Sequence, residues 1–198
     1  MSEQEALWID KALNGDDNAF GQLVEKYQKP VFSLCYRMLG NSNDAEDAAQ
    51  ESFIRAYRFL KRYDRDRSFA TWLLSIASHY CIDRLRKRKL DTVSTDVLPA
   101  EIIADHHAPN PEREYQAQEK EILMQNLMKD LNPTDRAALI LRYWHGYSEV
   151  EIAQALDLTV SAVKSRLYRS RQALAQLWLA SERTSLISER RPHESPAF

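Results

Sequence analysis

The chain has 198 residues, with 27 Lys and Arg against 29 Asp and Glu, which leaves a formal charge of −2 at pH 7. A hydrophobic share of 44% and a charged share of 28% suit a packed protein and rule out wholesale disorder, and at ~100–200 residues per domain the length fits one domain or two small ones. Four glycines exclude a collagen-like or linker-like chain, two cysteines exclude a disulfide framework and fit a reducing cytosol, and the absence of a run of ~18 apolar residues or a basic-then-apolar leader predicts a chain that neither spans a membrane nor is secreted.

Helical periodicity dominates from the N-terminal side. Phe20, Leu23, Val24, Tyr27, Val31, Leu34, Cys35 and Met38 recur at three and four residues, with Asp16 or Asp17 to cap the start and Gly40 to end the helix. Pro30 inside this stripe predicts a kink. A second helix from about Asn43 to Leu60 buries Ala45, Ala49, Phe53, Ala56 and Leu60, and shows Glu46, Asp47, Gln50, Glu51 and Arg55 on its other side. A third starts near Ser68, buries Phe69, Trp72, Leu73, Ile76, Tyr80 and Leu85, and ends in the basic run Arg84, Arg86, Lys87, Arg88, Lys89.

Residues 91–110 break the pattern with Pro99, Pro109 and scattered Asp, and read as an acidic linker. Asn110-Pro111-Glu112 and Asn132-Pro133-Thr134-Asp135 each look like an N-cap followed by proline at the first helical position, the second helix closing at Gly146. Residues 181–198 are polar, hold two prolines and read as a frayed tail. The expected fold is all-α: two small helical domains, 1–90 and 112–180, joined by a flexible acidic linker, 91–111.

Charge falls in blocks. Residues 1–54 carry 4 basic and 10 acidic groups, 55–90 carry 11 and 3, 91–135 carry 3 and 10, and 136–198 carry 9 and 6. Two basic zones insulated by acidic ones suggest two separate surfaces for a polyanion.

The sharper zone is 147–178. Ser148 and Glu151 form a capping-box pattern, Ile152, Ala153 and Leu156 give an apolar face, and Asp157-Leu158-Thr159 is a short connection to a longer helix that buries Val163, Leu167, Leu174 and Leu177. That describes a helix-turn-helix. No acidic residue occurs from Leu158 to Ser181, as a helix in the negative potential of a major groove requires. Ser161, Lys164 and Ser165 near its start are placed to reach base edges, and Arg166, Tyr168 and Arg169 to divide between bases and phosphates, with Arg171 a further cation of the same helix.

The other basic zone, Lys61 through Trp72, interleaves cations with aromatics, a pattern suited to single-stranded nucleic acid. Spacing assigns Phe69 and Trp72 to the core, and Tyr63 with the loop to Ser68 to contact. The acidic face of the second helix reads, on spacing alone, as a solvated surface. No Glu-x-x-His, Cys-x-x-Cys, Gly-rich phosphate loop or Gly-x-Ser-x-Gly is present, so catalysis, a metal and a cofactor find no support. Cys35 and Cys81 read as small core residues, and His106-His107 as solvated. A helix-turn-helix repressor or activator, with a ligand-binding or dimerising N-terminal domain, accounts for 131–178 but not for the earlier zones.

These segments together resemble bacterial sigma-70 family factors. Residues Asn43 through Tyr57 resemble their core-polymerase-binding helix. Phe69-Ala70-Thr71-Trp72-Leu73 with Ile76-Ala77 resembles the segment after their DNA-melting loop. Leu131-Asn132-Pro133 through Arg171 is similar to their promoter-reading C-terminal domain. Two domains joined directly match the extracytoplasmic-function subgroup.

The resemblance implies that Asp44, Asp47, Gln50, Glu51 and Arg55 face core RNA polymerase, at the β′ clamp, with β as a further contact. It implies that Arg62, Tyr63, Arg65, Arg67 and Ser68, with His79, Arg84, Arg86, Lys87 and Arg88, engage the −10 element of promoter DNA. Ser161, Lys164, Ser165, Arg166, Tyr168, Arg169 and Arg171 fall to the −35 element. It also implies an anti-sigma factor, often membrane-anchored, and a cytoplasmic location. His79 stands where the family usually has Asn, and Lys164 where Arg is common, which replaces a planar fork by a point charge.

Overall fold

Asp16 accepts the Ala19 N–H at 3.1 Å and so opens the long apolar stripe as a helix, and Gly40 ends it in the left-handed region at φ 82. This is α2, Asp17–Leu39, in a computed structural model that describes residues 2–91 and 123–189, with side chains for 2–89 and 123–180. The expected linker, beyond its first residue, and the helix start at Asn110-Pro111 lie outside the described residues. Pro30 sits inside α2 without ending it. Among the described residues every regular element is helical.

Before it comes α1, Glu3–Leu13, which the apolar pattern did not announce because only Glu5, Ile9 and Ala12 are buried. Its signal was the cap: Ser2 accepts the Glu5 N–H at 3.2 Å. Glu5 itself is 4% exposed and receives the Tyr27 hydroxyl at 2.5 Å and the Lys26 ammonium at 2.8 Å. Burial works to raise its pKa, but the bonds from Lys26 and Tyr27 outweigh it and hold the carboxyl below its ordinary value. A carboxylate depressed in this way contributes stability above its unfolded pKa, and that contribution is lost as pH falls through the folded value. Glu5→Gln is therefore expected to lower stability by about 1–2 kcal/mol at pH 7. In urea melts the gap to wild type should close as the pH falls below the ordinary carboxylate range; a gap that persists in acid would contradict the assignment.

Asn41 caps α3, Ser42–Phe59, which lays Ala45, Ala48, Ala49, Ser52 and Ala56 against the core. These small side chains let α2 and α3 approach closely. A 3-10 turn, Leu60–Arg62, leads into the loop 63–68, where Ser68 accepts the Thr71 N–H at 3.1 Å and starts α4, Phe69–Asp91.

The single-stripe expectation for α4 is corrected. Phe69, Leu73, Leu74, Ala77, Cys81 and Ile82 are buried, whereas Trp72, Ile76, Tyr80 and Leu85 are only partly so. The reason is that α4 is packed on more than one side, by α2 and α3 and also by two helices of the second half. Cys35 and Cys81 are both fully buried, as expected.

The second half comprises a helical stretch 123–129 (α5), α6 at Pro133–Tyr143 behind the Asn132 cap, α7 at Glu149–Ala155 and α8 at Val160–Glu189. Gly146, at φ 69, lies beyond the α6 cap residue Trp144, in a turn where the Tyr147 N–H reaches the Leu141 carbonyl at 3.0 Å. The tail expected to fray from Ser181 is instead helical backbone through Glu189, since no Gly or Pro interrupts 181–189. The apolar residues of α1–α4 and of α6–α8 form one continuous core, with α6 and α7 seated on α4 and α6 also on α2.

Candidate functional site

In the second half, local chemistry sets the helix-turn-helix. Ser148 accepts the Glu151 N–H at 3.2 Å while the Glu151 carboxylate accepts the Ser148 N–H at 2.8 Å, a complete capping box that also holds the Glu151 pKa low. The turn passes through Asp157 at φ 53, and Thr159 accepts the Ala162 N–H at 3.1 Å to open α8. Val163, Leu167 and Ser170 point inward. Ser161, Lys164, Ser165, Tyr168 and Arg169 form one exposed strip, Tyr168 being 59% exposed. Arg171 is exposed beside the strip. Arg166 is set apart from it: its guanidinium donates to Asp135 at 2.5 Å and ties α8 to α6.

The first half carries the second basic surface, and here the expectation for Tyr63 is corrected. The ring is 7% exposed, set edge-on to Phe69 at 5.4 Å and tilted against Trp72 at 5.2 Å. Its hydroxyl donates to the Arg67 carbonyl at 2.6 Å, so Tyr63 fastens the loop rather than presenting a ring to solvent. Asp64 accepts the Asp66 N–H at 3.0 Å within the loop, and Arg65 is paired with Asp10 of α1. Arg62 lies over the Phe59 ring at 5.2 Å, Ser68 serves as the α4 cap, and Arg67 projects outward.

Along α4, Arg84 and Arg88 both pair with Asp44, whose carboxyl also receives the Asn41 amide. Burial tends to raise the Asp44 pKa, but Asn41, Arg88 and Arg84 outweigh it and hold it low. Asp44 was expected to face polymerase; its carboxylate is instead mostly covered and occupied within the chain. Arg86 and Lys87 are exposed. His79 donates from Nδ1 to the Ser75 carbonyl at 2.9 Å and turns Nε2 toward Asp157.

The residues expected at the polymerase surface divide. Gln50 lines a cleft of about 440 Å³ between α2 and α3, together with Val24, Gln28, Phe32, Ala49 and Phe53. Asp47 is exposed and lies 4.0 Å from Arg84 of α4, outside the lining of this cleft. Glu51 is bound to Arg55 at 2.7 Å, and the Arg55 guanidinium lies over the Tyr80 ring at 4.8 Å. The apolar walls of the cleft were not singled out by the sequence reading, because periodicity assigned Val24 and Phe53 to the core. Among the described residues no group of three His, Cys, Asp or Glu side chains is placed to hold a metal, and no helix is long and apolar enough to cross a membrane.

An all-helical chain whose basic helix stands exposed behind a capped helix and a tight turn falls within the class of helix-turn-helix proteins. The family descriptions "Sigma-70 region 2" and "Sigma-70, region 4" match residues 23–90 and 122–174. The chain is 37% identical over 174 residues to the ECF RNA polymerase sigma factor SigW of Bacillus subtilis, covering 84% of this chain and 92% of that protein. It is 34% identical over 182 residues to the ECF RNA polymerase sigma-E factor of Escherichia coli, covering 88% and 95%. Its fold matches CnrH, solved with the cytosolic domain of CnrY, at a TM-score of 0.64 and 24% identity over 90% of this chain and 99% of that one. It matches RpoE of Bartonella quintana, solved with the anti-sigma factor NepR, at 0.64 and 19% over 80% and 96%. The chain belongs to the sigma-70 family of RNA polymerase sigma factors, in the extracytoplasmic-function subgroup. It is a transcription initiation factor that directs core RNA polymerase to promoters, and not an enzyme.

Proposed function

We propose a division of this work over three surfaces of the chain. The cleft between α2 and α3, lined by Gln50, together with the exposed Asp47 of α3, docks core polymerase. The loop 60–68, with His79, Arg86 and Lys87 of α4, engages the opened −10 element, its polar and cationic groups acting on a frame held by Tyr63, Phe69 and Trp72. The strip Ser161, Lys164, Ser165, Tyr168 and Arg169 enters the major groove at the −35 element, with Arg171 on the flanking phosphates. The observation that carries this reading is the exposed, acid-free strip of α8 behind a completed cap and turn. The two halves, 1–90 and 112–180, act as the two working domains, in the cytoplasm where polymerase and chromosome meet.

An anti-sigma partner fits the same reading, since a related fold has been solved with one. Reconstitution tests the whole: the pure chain added to core polymerase should give promoter-dependent transcripts, and binding to duplex DNA without any transcript would favour a repressor instead. For the docking surface, Asp47→Arg with Gln50→Arg is expected to weaken co-purification with core enzyme by ~10-fold or more, about 1.4 kcal/mol. Both side chains are exposed, so the fold should be retained. Unchanged retention by core enzyme would remove the cleft from the interface.

A further inference from the structure

A neutral imidazole carries one N–H, so one ring nitrogen donates and the other accepts, and the bond made by the first fixes the sense of the second. In α4 the Nδ1 of His79 lies 2.9 Å from the carbonyl oxygen of Ser75, one turn earlier. A carbonyl only accepts, so Nδ1 holds the proton. The Ser75 carbonyl takes the His79 backbone N–H in the α-helical pattern and has a second lone pair for the ring. The Ser75 hydroxyl does not compete, because it donates to the Trp72 carbonyl at 2.7 Å. Nε2 is therefore left as a bare acceptor, on a side chain 43% exposed. Asp157, in the turn before α8, faces Nε2 at 3.6 Å, beyond hydrogen-bond reach. The bond that sets the tautomer is thus internal to α4.

His79 stands on the same side of α4 as Asp83 and Arg86, which are exposed and 3.9 Å apart. From the start of α4 at Phe69, ten residues carry His79 ~15 Å along the helix, away from the loop 63–68. That is the length of about four base steps at ~3.4 Å each. With the loop on the opened strand, His79 lies toward DNA that is still paired, and Arg86 and Lys87 further along supply cations for its backbone. In a base pair the major groove offers two kinds of donor, the N6 amino group of adenine and the N4 amino group of cytosine. Guanine and thymine present acceptors there.

We propose that His79 is a specificity-determining residue whose Nε2 accepts a hydrogen bond from the amino group of an adenine or cytosine at the paired, upstream edge of the −10 element. The inference rests on the assignment of His79 to that element above, and narrows it to one edge and one chemical group. Guanine O6 or thymine O4 at the same place would set one lone pair against another and leave both without a donor. Arg86 and Lys87 act on phosphates and add affinity without discrimination. The preference is for a class of base, amino over keto, because a single acceptor cannot tell adenine from cytosine.

The test uses the full chain with core RNA polymerase and a promoter fragment selected by that holoenzyme. Each pair at the upstream edge of the −10 element is changed to all four bases. Wild type should favour adenine or cytosine over guanine and thymine at one position of one strand, by ~5-fold in binding. At that position, purine in place of adenine removes only the amino group and should cost wild type the same ~5-fold. His79→Phe keeps a ring and removes both nitrogens; with far-UV circular dichroism unchanged, it should show neither the base preference nor the loss on purine. A role in packing alone would leave the purine effect equal in the two proteins, and that result overturns the proposal. Long-range 1H–15N spectra of the full chain, with the His79 signals identified by their loss in His79→Phe, should show the proton on Nδ1. A proton on Nε2, or a preference for guanine and thymine, overturns the acceptor role and leaves the −10 assignment standing. Normal transcripts from both proteins, with no position at which their base preferences differ, overturn the assignment of His79 to the element and the inference with it.

Discussion

Replacing Lys164 and Arg169 together by glutamate is expected to cut use of the −35 element by about two orders of magnitude. Lys164 has a side chain 64% exposed, and its near acid is Glu149 at 3.7 Å, so reversal at this position also sets like charges together. Arg169 spends only Nε on its own helix, toward the Ser165 carbonyl at 3.3 Å, and leaves the rest of its fork outward. Val163 and Leu167, which hold α8 in place, are untouched. A base contact is worth ~1–3 kcal/mol, so two together account for ~3 kcal/mol. The salt dependence should flatten by about two phosphate equivalents if both groups meet the backbone. Footprinting of the holoenzyme at two salt concentrations checks both numbers. Protection of the −35 region identical to wild type would refute the placement of α8. Arg166, one turn along but bound to Asp135, is not expected to share this effect.

Phe69→Ala should produce the largest loss of stability, ~3–5 kcal/mol, against the ~5–15 kcal/mol total of an ordinary domain. Phe69 is 1% exposed and stands among Tyr27 at 5.6 Å, Tyr63 at 5.4 Å and Trp72 at 5.5 Å. Removing the ring leaves a cavity that three rigid neighbours cannot fill by simple rotation. It also frees Tyr63, whose hydroxyl secures the Arg67 carbonyl, so the loop 63–68 loses its anchor. Urea melts should show the shift, and promoter opening should fall further than the folded fraction explains. Phe69→Leu retains most of the volume and serves as the comparison. A melt of Phe69→Ala within 1 kcal/mol of wild type would show that the cluster does not carry the core.

Much of this was legible because it is local. Asp16, Asn132 and Ser148 act as caps through hydrogen bonds to backbone groups two or three residues away, so three of the helices could be placed from residue types alone, whereas the Asn41 cap was missed and α3 was started near Asn43. The α8 strip was legible for the same reason: its exposure follows from helical spacing against Val163 and Leu167. What failed was whatever depends on a distant partner. Tyr63 looked exposed because its neighbours in sequence are charged, yet Phe69 and Trp72 close over it. Asp44 read as a surface acid until α4 brought Arg84 and Arg88 to it, forty and forty-four residues on.

The sequence by itself determined that the chain is helical, that its second half ends in a capped helix and turn leading to a basic helix, and, Arg166 excepted, which face of that helix is free. The tertiary structure alone decided that α4 is covered on two sides, that Arg136 is buried, and that a carbonyl of α2 is capped from the other half of the chain. The physical reason is range: caps and stripes are settled within one or two turns of helix. The burial of a charge, by contrast, is settled by whichever helix end the fold delivers to it, here a carbonyl 99 residues away.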